Sequence, residues 1–237
     1  MNKHSALAAL IIAAVFLASC APAPVAAPPT TAPTQPAAPE APIPLTETVA
    51  APAAVLPDGV LRLVVAPKGN QARFRVREQL VSLKLPSDAV GTTSGVSGAI
   101  VIQPNGQIFA GESRFAVDLT TLRSDSDRRD GYIQRNTLET GTYPEAVFVP
   151  TAVTGLPSPL PESGAVAFQL TGDLTVHGAT RPVTWDVTAQ IDGRMLRGTA
   201  AASITFTEFG MTLPRVGPVL SVEDLIVLEL DFALTLE

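Results

Sequence analysis

AVAFQLTGDLTVHGATRPVTWDVTAQIDGR, Ala165 to Arg194, alternates apolar and polar residues along most of its length. Val166, Phe168 and Leu170 fall on one side, and beyond Gly172 that side continues with Leu174 and Val176. Past the connection VHGATRPV, the residues Val183, Trp185, Val187, Ala189 and Ile191 alternate against Thr184, Asp186, Thr188 and Gln190. A period of two marks a half-buried strand, because successive side chains leave the pleated chain on opposite faces. Two such runs in succession predict long antiparallel strands.

The same period recurs outward from this stretch. ARFRVR sets Ala72, Phe74 and Val76 against Arg73, Arg75 and Arg77, and SRFAVDL groups Phe115, Val117 and Leu119. AAASITFT places Ala200, Ala202, Ile204 and Phe206 together. The last run, LIVLELDFALTLE, keeps Ile226, Leu228, Leu230, Phe232, Leu234 and Leu236 on one side. Asn105-Gly106 and Asp192-Gly193 are hairpin signals, since both pairs tolerate the positive φ that tight turns require, and VHGATRPV reads as a longer connection in which Arg181 and Pro182 help set the return. Only Asp125 to Glu139 has a helical pattern, with Asp127 as its cap and Gly131 weakening it.

These features predict one all-β domain from Asp58 to Glu237. A final run of about a dozen residues would extend roughly 40 Å at 3.4 Å per residue, well beyond the usual strand. Long alternating strands in series suit a closed antiparallel barrel of about eight strands, which also removes exposed edges. The inward residues are apolar, and a barrel of that size holds either packed side chains or one small ligand. That alternative stays open at this level.

The remaining chain is organised differently. Lys3 and the apolar run ALAALIIAAVFLA form a short leader over residues 1–19, ending in LASC at Cys20, which resembles a bacterial lipobox. By that resemblance Cys20 is acylated and becomes the membrane anchor, and Ala21 carries no retention aspartate. The protein is then exported and anchored to the cell envelope, on the outer-membrane or periplasmic side where there are two membranes and on the outer face of the cell membrane otherwise. Residues 20–57 hold half of the 22 prolines; such a segment builds no core and serves as a tether with a reach of the order of 110 Å. A net charge of −6 disfavours nucleic acid as a partner.

FAVDLTTLRSDSDRRDGYIQRNTLETGTYPEAVF, then LTGDLTVHGATRPVTWDV, then ASITFTEFGM, and then a C-terminal strand occur in an order that resembles the YceI-like family. The most specific pieces are GDLTVHGATRPV, YPEAVF and FTEFGM. The resemblance implies a lipocalin-like antiparallel barrel that binds a polyisoprenoid or isoprenoid quinone in an apolar cavity, with no catalytic residues and no cofactor beyond that bound lipid. The cavity candidates are Phe74, Val76, Phe115, Val117, Leu119, Phe148, Phe168, Leu170, Trp185, Phe206 and Phe232. His177, Arg129, Asp130 and Tyr132 are the candidate polar contacts. Two departures concern the ligand: VAPKGNQARFRV stands where members often carry Asp-x-x-His-Ser, and Tyr132 stands where many carry a histidine.

Catalysis and metal binding find little support in the residues. His177 has Asp173 and Asp186 near it in sequence but no nucleophile motif, and it reads mainly as a turn residue. Asp125, Asp127 and Asp130 do not follow the spacing of a calcium loop, whose twelfth position would be Asn136 here. The rival to lipid binding is a surface interaction module with a packed, ligand-free barrel. A homodimer is left open under either reading.

Overall fold

The structure, a computed structural model, describes residues 59–217 and 219–237. The leader 1–19, the candidate anchor Cys20, the tether 20–57 and Asp58 lie outside the described residues.

The elements are β1 (Leu61–Val65), β2 (Gln71–Leu80), β3 (Ser87–Thr93), β4 (Val96–Ile102), β5 (Arg114–Asp118), β6 (Arg123–Ser124), α1 (Asp127–Tyr132), β7 (Glu145–Thr154), β8 (Ser163–Val176), β9 (Ala179–Asp192), β10 (Met195–Ile204) and β11 (Val219–Leu236). β1, β4, β5, β7, β8, β9, β10 and β11 pair in that order, and β11 returns to β1, closing an antiparallel ring of eight strands. β2, β3 and β6 extend the same sheet from β11. They arise because long strand paths are interrupted. The lower part of β11, Leu234–Leu236, pairs with β1, while Val219–Asp231 pairs with β2. At the break Asn70 takes over the ladder: its amide donates to the Ala66 carbonyl at 2.6 Å, and its side-chain oxygen accepts from the Ala233 N–H at 2.9 Å.

β11 therefore runs 18 residues, longer than the alternation suggests, because pairing with β2 reaches Val219 opposite Leu80. The connection between β8 and β9 is shorter than its sequence suggests. Val176 pairs directly with Ala179, so the turn is only His177–Gly178, and Arg181 and Pro182 lie inside β9. Both turn residues have positive φ, 51° and 73°, as required at both central positions of a type I′ turn. The β9–β10 turn is centred on Gly193–Arg194, with Asp192 paired to Met195.

One short helix follows β6. Its cap is Ser126, whose hydroxyl accepts from the Arg129 N–H at 3.4 Å, and not Asp127, which already belongs to the helix. A π-helical turn, Ile133–Thr137, continues it. The inward side chains form two apolar clusters. Leu63, Ile191, Leu196 and Leu234 belong to the first, and Val176, Ile204, Phe206 and Phe209 to the second. Phe115, Leu170 and Trp185 pack against both. Gly172 permits close passage of β8 beside β7, since a Cβ there would lie 2.3 Å from the Val149 carbonyl oxygen.

Candidate functional site

Between the two clusters the barrel encloses a cavity of about 590 Å³, walled mainly by aliphatic and aromatic side chains. All eleven apolar candidates named from the sequence line it. Alternation explains nine of them, which sit on the inward rows of their strands, whereas Leu119 lies in a short 3-10 turn after β5 and Phe206 in the turn after β10. Trp185 marks the middle, meeting Phe148 edge-on with ring centroids 6.0 Å apart and planes at 70°.

The polar candidates divide. Arg129 and Tyr132 line the cavity, whereas Asp130 and His177 do not. Asp130 is buried and engaged with its own chain. Its carboxylate accepts the Ser124 N–H at 2.9 Å and the Ser124 hydroxyl at 2.6 Å, locking β6 to α1. This carboxylate is therefore spent on the fold. His177 sits at the turn beyond β8, with the Tyr143 ring 4.9 Å away and the Glu139 carboxylate 3.6 Å from Nε2.

One inward charge escaped the sequence reading. The alternation that puts Phe74 and Val76 inside also puts Glu78 inside, where it is 7 % exposed. Arg129 answers it at 3.0 Å and also pairs with Asp125. Arg128 and Arg135 also line the cavity, yet both are exposed. Together with Tyr132 they recur at helical spacing, so one face of the helical segment borders the cavity where it meets the surface. Leu156, Leu160, Pro214 and Val216 complete the wall from loops whose sequences carry no periodic signal. Among the described residues no group of three or more His, Cys, Asp or Glu side chains is placed to hold a metal ion.

The arrangement suits burial of an elongated apolar molecule. A volume of this size lies within the roughly 300–1,000 Å³ of small-molecule sites.

The model of the YceI-like domain matches residues 63–234. A UPF0312 protein of Pseudomonas putida strain GB-1 is 35 % identical over 111 residues, which is 43 % of this chain and 54 % of that protein. A UPF0312 protein of Vibrio parahaemolyticus is 38 % identical over 69 residues, 29 % of this chain and 33 % of the relative. The chain thus spans about half the length of the first of these curated relatives, 54 %, and less of the second. Among solved structures, a polyisoprenoid binding domain from Saccharophagus degradans, implicated in plant cell wall breakdown, superposes with a TM-score of 0.58 at 13 % identity. That match covers 74 % of this chain and 98 % of the other. BcnA of Burkholderia cenocepacia gives a TM-score of 0.50 at 17 % identity, covering 69 % and 95 %. At such identities the two structures speak for the fold.

Proposed function

Because this chain belongs to the YceI-like domain family, we propose that it is a lipid-anchored extracytoplasmic protein that holds an isoprenoid lipid or isoprenoid quinone in its barrel. The observation that carries this reading is the continuous apolar wall of the cavity, from Leu63 and Leu234 at one end past Trp185 to Phe206 and Met211 at the other. Burial of each methylene from water contributes about 0.8 kcal/mol, so a chain of several isoprene units repays the cost of its own ordering. The polyisoprenoid binding domain from Saccharophagus degradans supports the same class of ligand. The proposed action is sequestration or transport, with no covalent step. LASC at Leu17 to Cys20 supports the anchor, and the proline-rich segment after it supports a tethered domain.

Native mass spectrometry of the protein purified from its own membrane tests the reading. A bound species with an isoprenoid mass, extractable into organic solvent, is the expected result. Protein that is consistently empty and takes up no quinone analogue overturns it and favours a packed interaction module. For the anchor, the mature N-terminal peptide should carry acyl mass at Cys20, and Cys20→Ser should abolish it.

A further inference from the structure

Four of the six large apolar side chains exposed among the described residues lie at one end of the barrel. Val81, Leu83 and Leu85 occupy the loop from β2 to β3, and Leu220 is the second residue of β11. These four are 46 to 76 % exposed. Register brings them together, since Leu80 pairs with Val219. Leu80 and Val219 themselves line the cavity. Val81 directly follows Leu80 and Leu220 directly follows Val219, so the greasy rim adjoins the greasy wall at the ends of both strands.

This is also the end carrying the helical segment, because Arg129 reaches Glu78, three residues before Val81. Arg128 and Arg135, the exposed residues of the cavity wall, belong to that segment. Lys84 stands between Leu83 and Leu85 and forms no ion pair among the described residues. The carboxylates nearest the loop are already engaged, Glu78 with Arg129 and Asp88 with Arg77 and Arg75. Glu223, three residues beyond Leu220, is exposed and in no ion pair among the described residues.

We propose that this rim, Val81, Leu83, Leu85 and Leu220 around Lys84, docks the cavity mouth onto a lipid bilayer carrying anionic headgroups. The four side chains expose roughly 400 Å² of apolar surface, about half of the 800 Å² per partner that a stable protein interface needs. Shallow insertion into a bilayer needs no such area, and leucines beside a lysine suit the boundary between acyl chains and headgroups. The continuity of rim and wall lets an apolar ligand pass between membrane and barrel without crossing water. This inference rests on the proposed ligand class for its purpose, and on the rim alone for its geometry.

The test uses the full chain carrying Cys20→Ser together with Leu83→Cys, labelled there with an environment-sensitive fluorophore. A second chain carries the label through Asn105→Cys, in the turn at the opposite end of the barrel, where β4 ends. With vesicles of phosphatidylglycerol and phosphatidylcholine, the label at position 83 should shift to the blue and be quenched by nitroxide-bearing lipid. The label at position 105 should do neither. No shift at position 83, or equal shifts at both, overturns the proposal. A shift at position 83 that rises with protein concentration without vesicles also overturns it and assigns the rim to a second copy.

Leu83→Asp with Leu85→Asp separates docking from ligand choice. The double variant should slow quinone transfer from vesicles about tenfold or more, while uptake of quinone from detergent is unchanged. Transfer at the original rate sinks the docking proposal and leaves the ligand reading standing. Vesicle docking without uptake from detergent by either chain sinks the ligand reading and leaves docking standing.

Discussion

The Arg129 guanidinium lies 3.0 Å from the carboxylate of Glu78, which the alternation of β2 turns into the barrel. This ion pair joins the helical segment to the strand wall at the cavity mouth, and most of the Glu78 side chain is removed from water. Loss of the arginine strands a buried charge. Arg129→Ala should therefore cost up to about 3 kcal/mol, read as a lower urea midpoint. The apolar pair Glu78→Leu with Arg129→Met should recover most of that loss. Equal midpoints for Arg129→Ala and the parent chain would show the pair to be worth nothing.

Gly172 gives a sharper steric forecast. A Cβ there meets backbone, 2.3 Å from the Val149 oxygen and 2.6 Å from the Pro150 Cα, as well as the Phe148 ring at 2.7 Å, and the backbone contacts cannot yield by a side-chain rotation. Gly172→Ala should destabilise by about 1–3 kcal/mol. Gly106→Ala makes a contrast, because nothing lies within 4 Å of its Cβ and the penalty comes from its φ of 81° alone. Thermal denaturation of the two variants compares a clash with a conformational cost.

His177 is held in the turn by backbone conformation. A β-branched residue at φ 51° is strained, so His177→Val should cost about 1–2 kcal/mol. His177→Asn should be close to neutral, since asparagine tolerates the left-handed region. Quinone uptake should be the same in both. A loss of uptake in the stable His177→Asn chain would restore the histidine as a ligand contact.

Three exposed carboxyls set an acid limit on stability. The Thr120 hydroxyl and N–H hold Asp118 below its ordinary value, the Thr207 hydroxyl and N–H do so for Asp224, and Arg77 does so for Asp88. Groups depressed on folding stabilise above their unfolded pKa, and that contribution disappears as pH falls through the folded value. Melting temperature should thus be flat above the ordinary aspartate value and fall below about pH 4. Thr207→Val should shallow that fall, and an unchanged profile would exclude Asp224 as a contributor.

Trp185 is the chain's single tryptophan and lies in the cavity wall. Its emission should be quenched on addition of a short-chain quinone. Ala200, buried on the wall at the middle of β10, gives the complementary test. Ala200→Phe should fill part of the cavity and weaken quenching at least severalfold, with the barrel's circular dichroism retained. Undiminished quenching would place the quinone outside the barrel.

Much of the wall was legible before any fold was known. Period two in a strand is a local property, so Phe74, Phe168, Trp185 and Phe232 could be assigned to one face from their spacing alone. Glu78 obeys the same rule, but apolar spacing alone marks the inward row only as far as Val76. Pro182 suggests a longer connection at His177, yet it is a residue of β9 and the turn itself is two residues. Leu156, Leu160, Pro214 and Val216 carry no periodicity, and only the folded chain brings their loops to the cavity.

The sequence by itself determined the β class, the inward faces and the family, because alternation and ordered motifs are written along the chain. It also set apart residues 20–57, whose proline-rich composition does not favour a core. Tertiary structure alone decided that eight strands close while three more extend the sheet, since closure depends on which stretch of β11 meets β1 and which meets β2. It alone decided that the apolar faces enclose a space of about 590 Å³ instead of filling it. Spacing specifies the side of a strand on which a side chain stands; the distance to the opposite wall is set by register and closure, which bring together residues far apart in the chain.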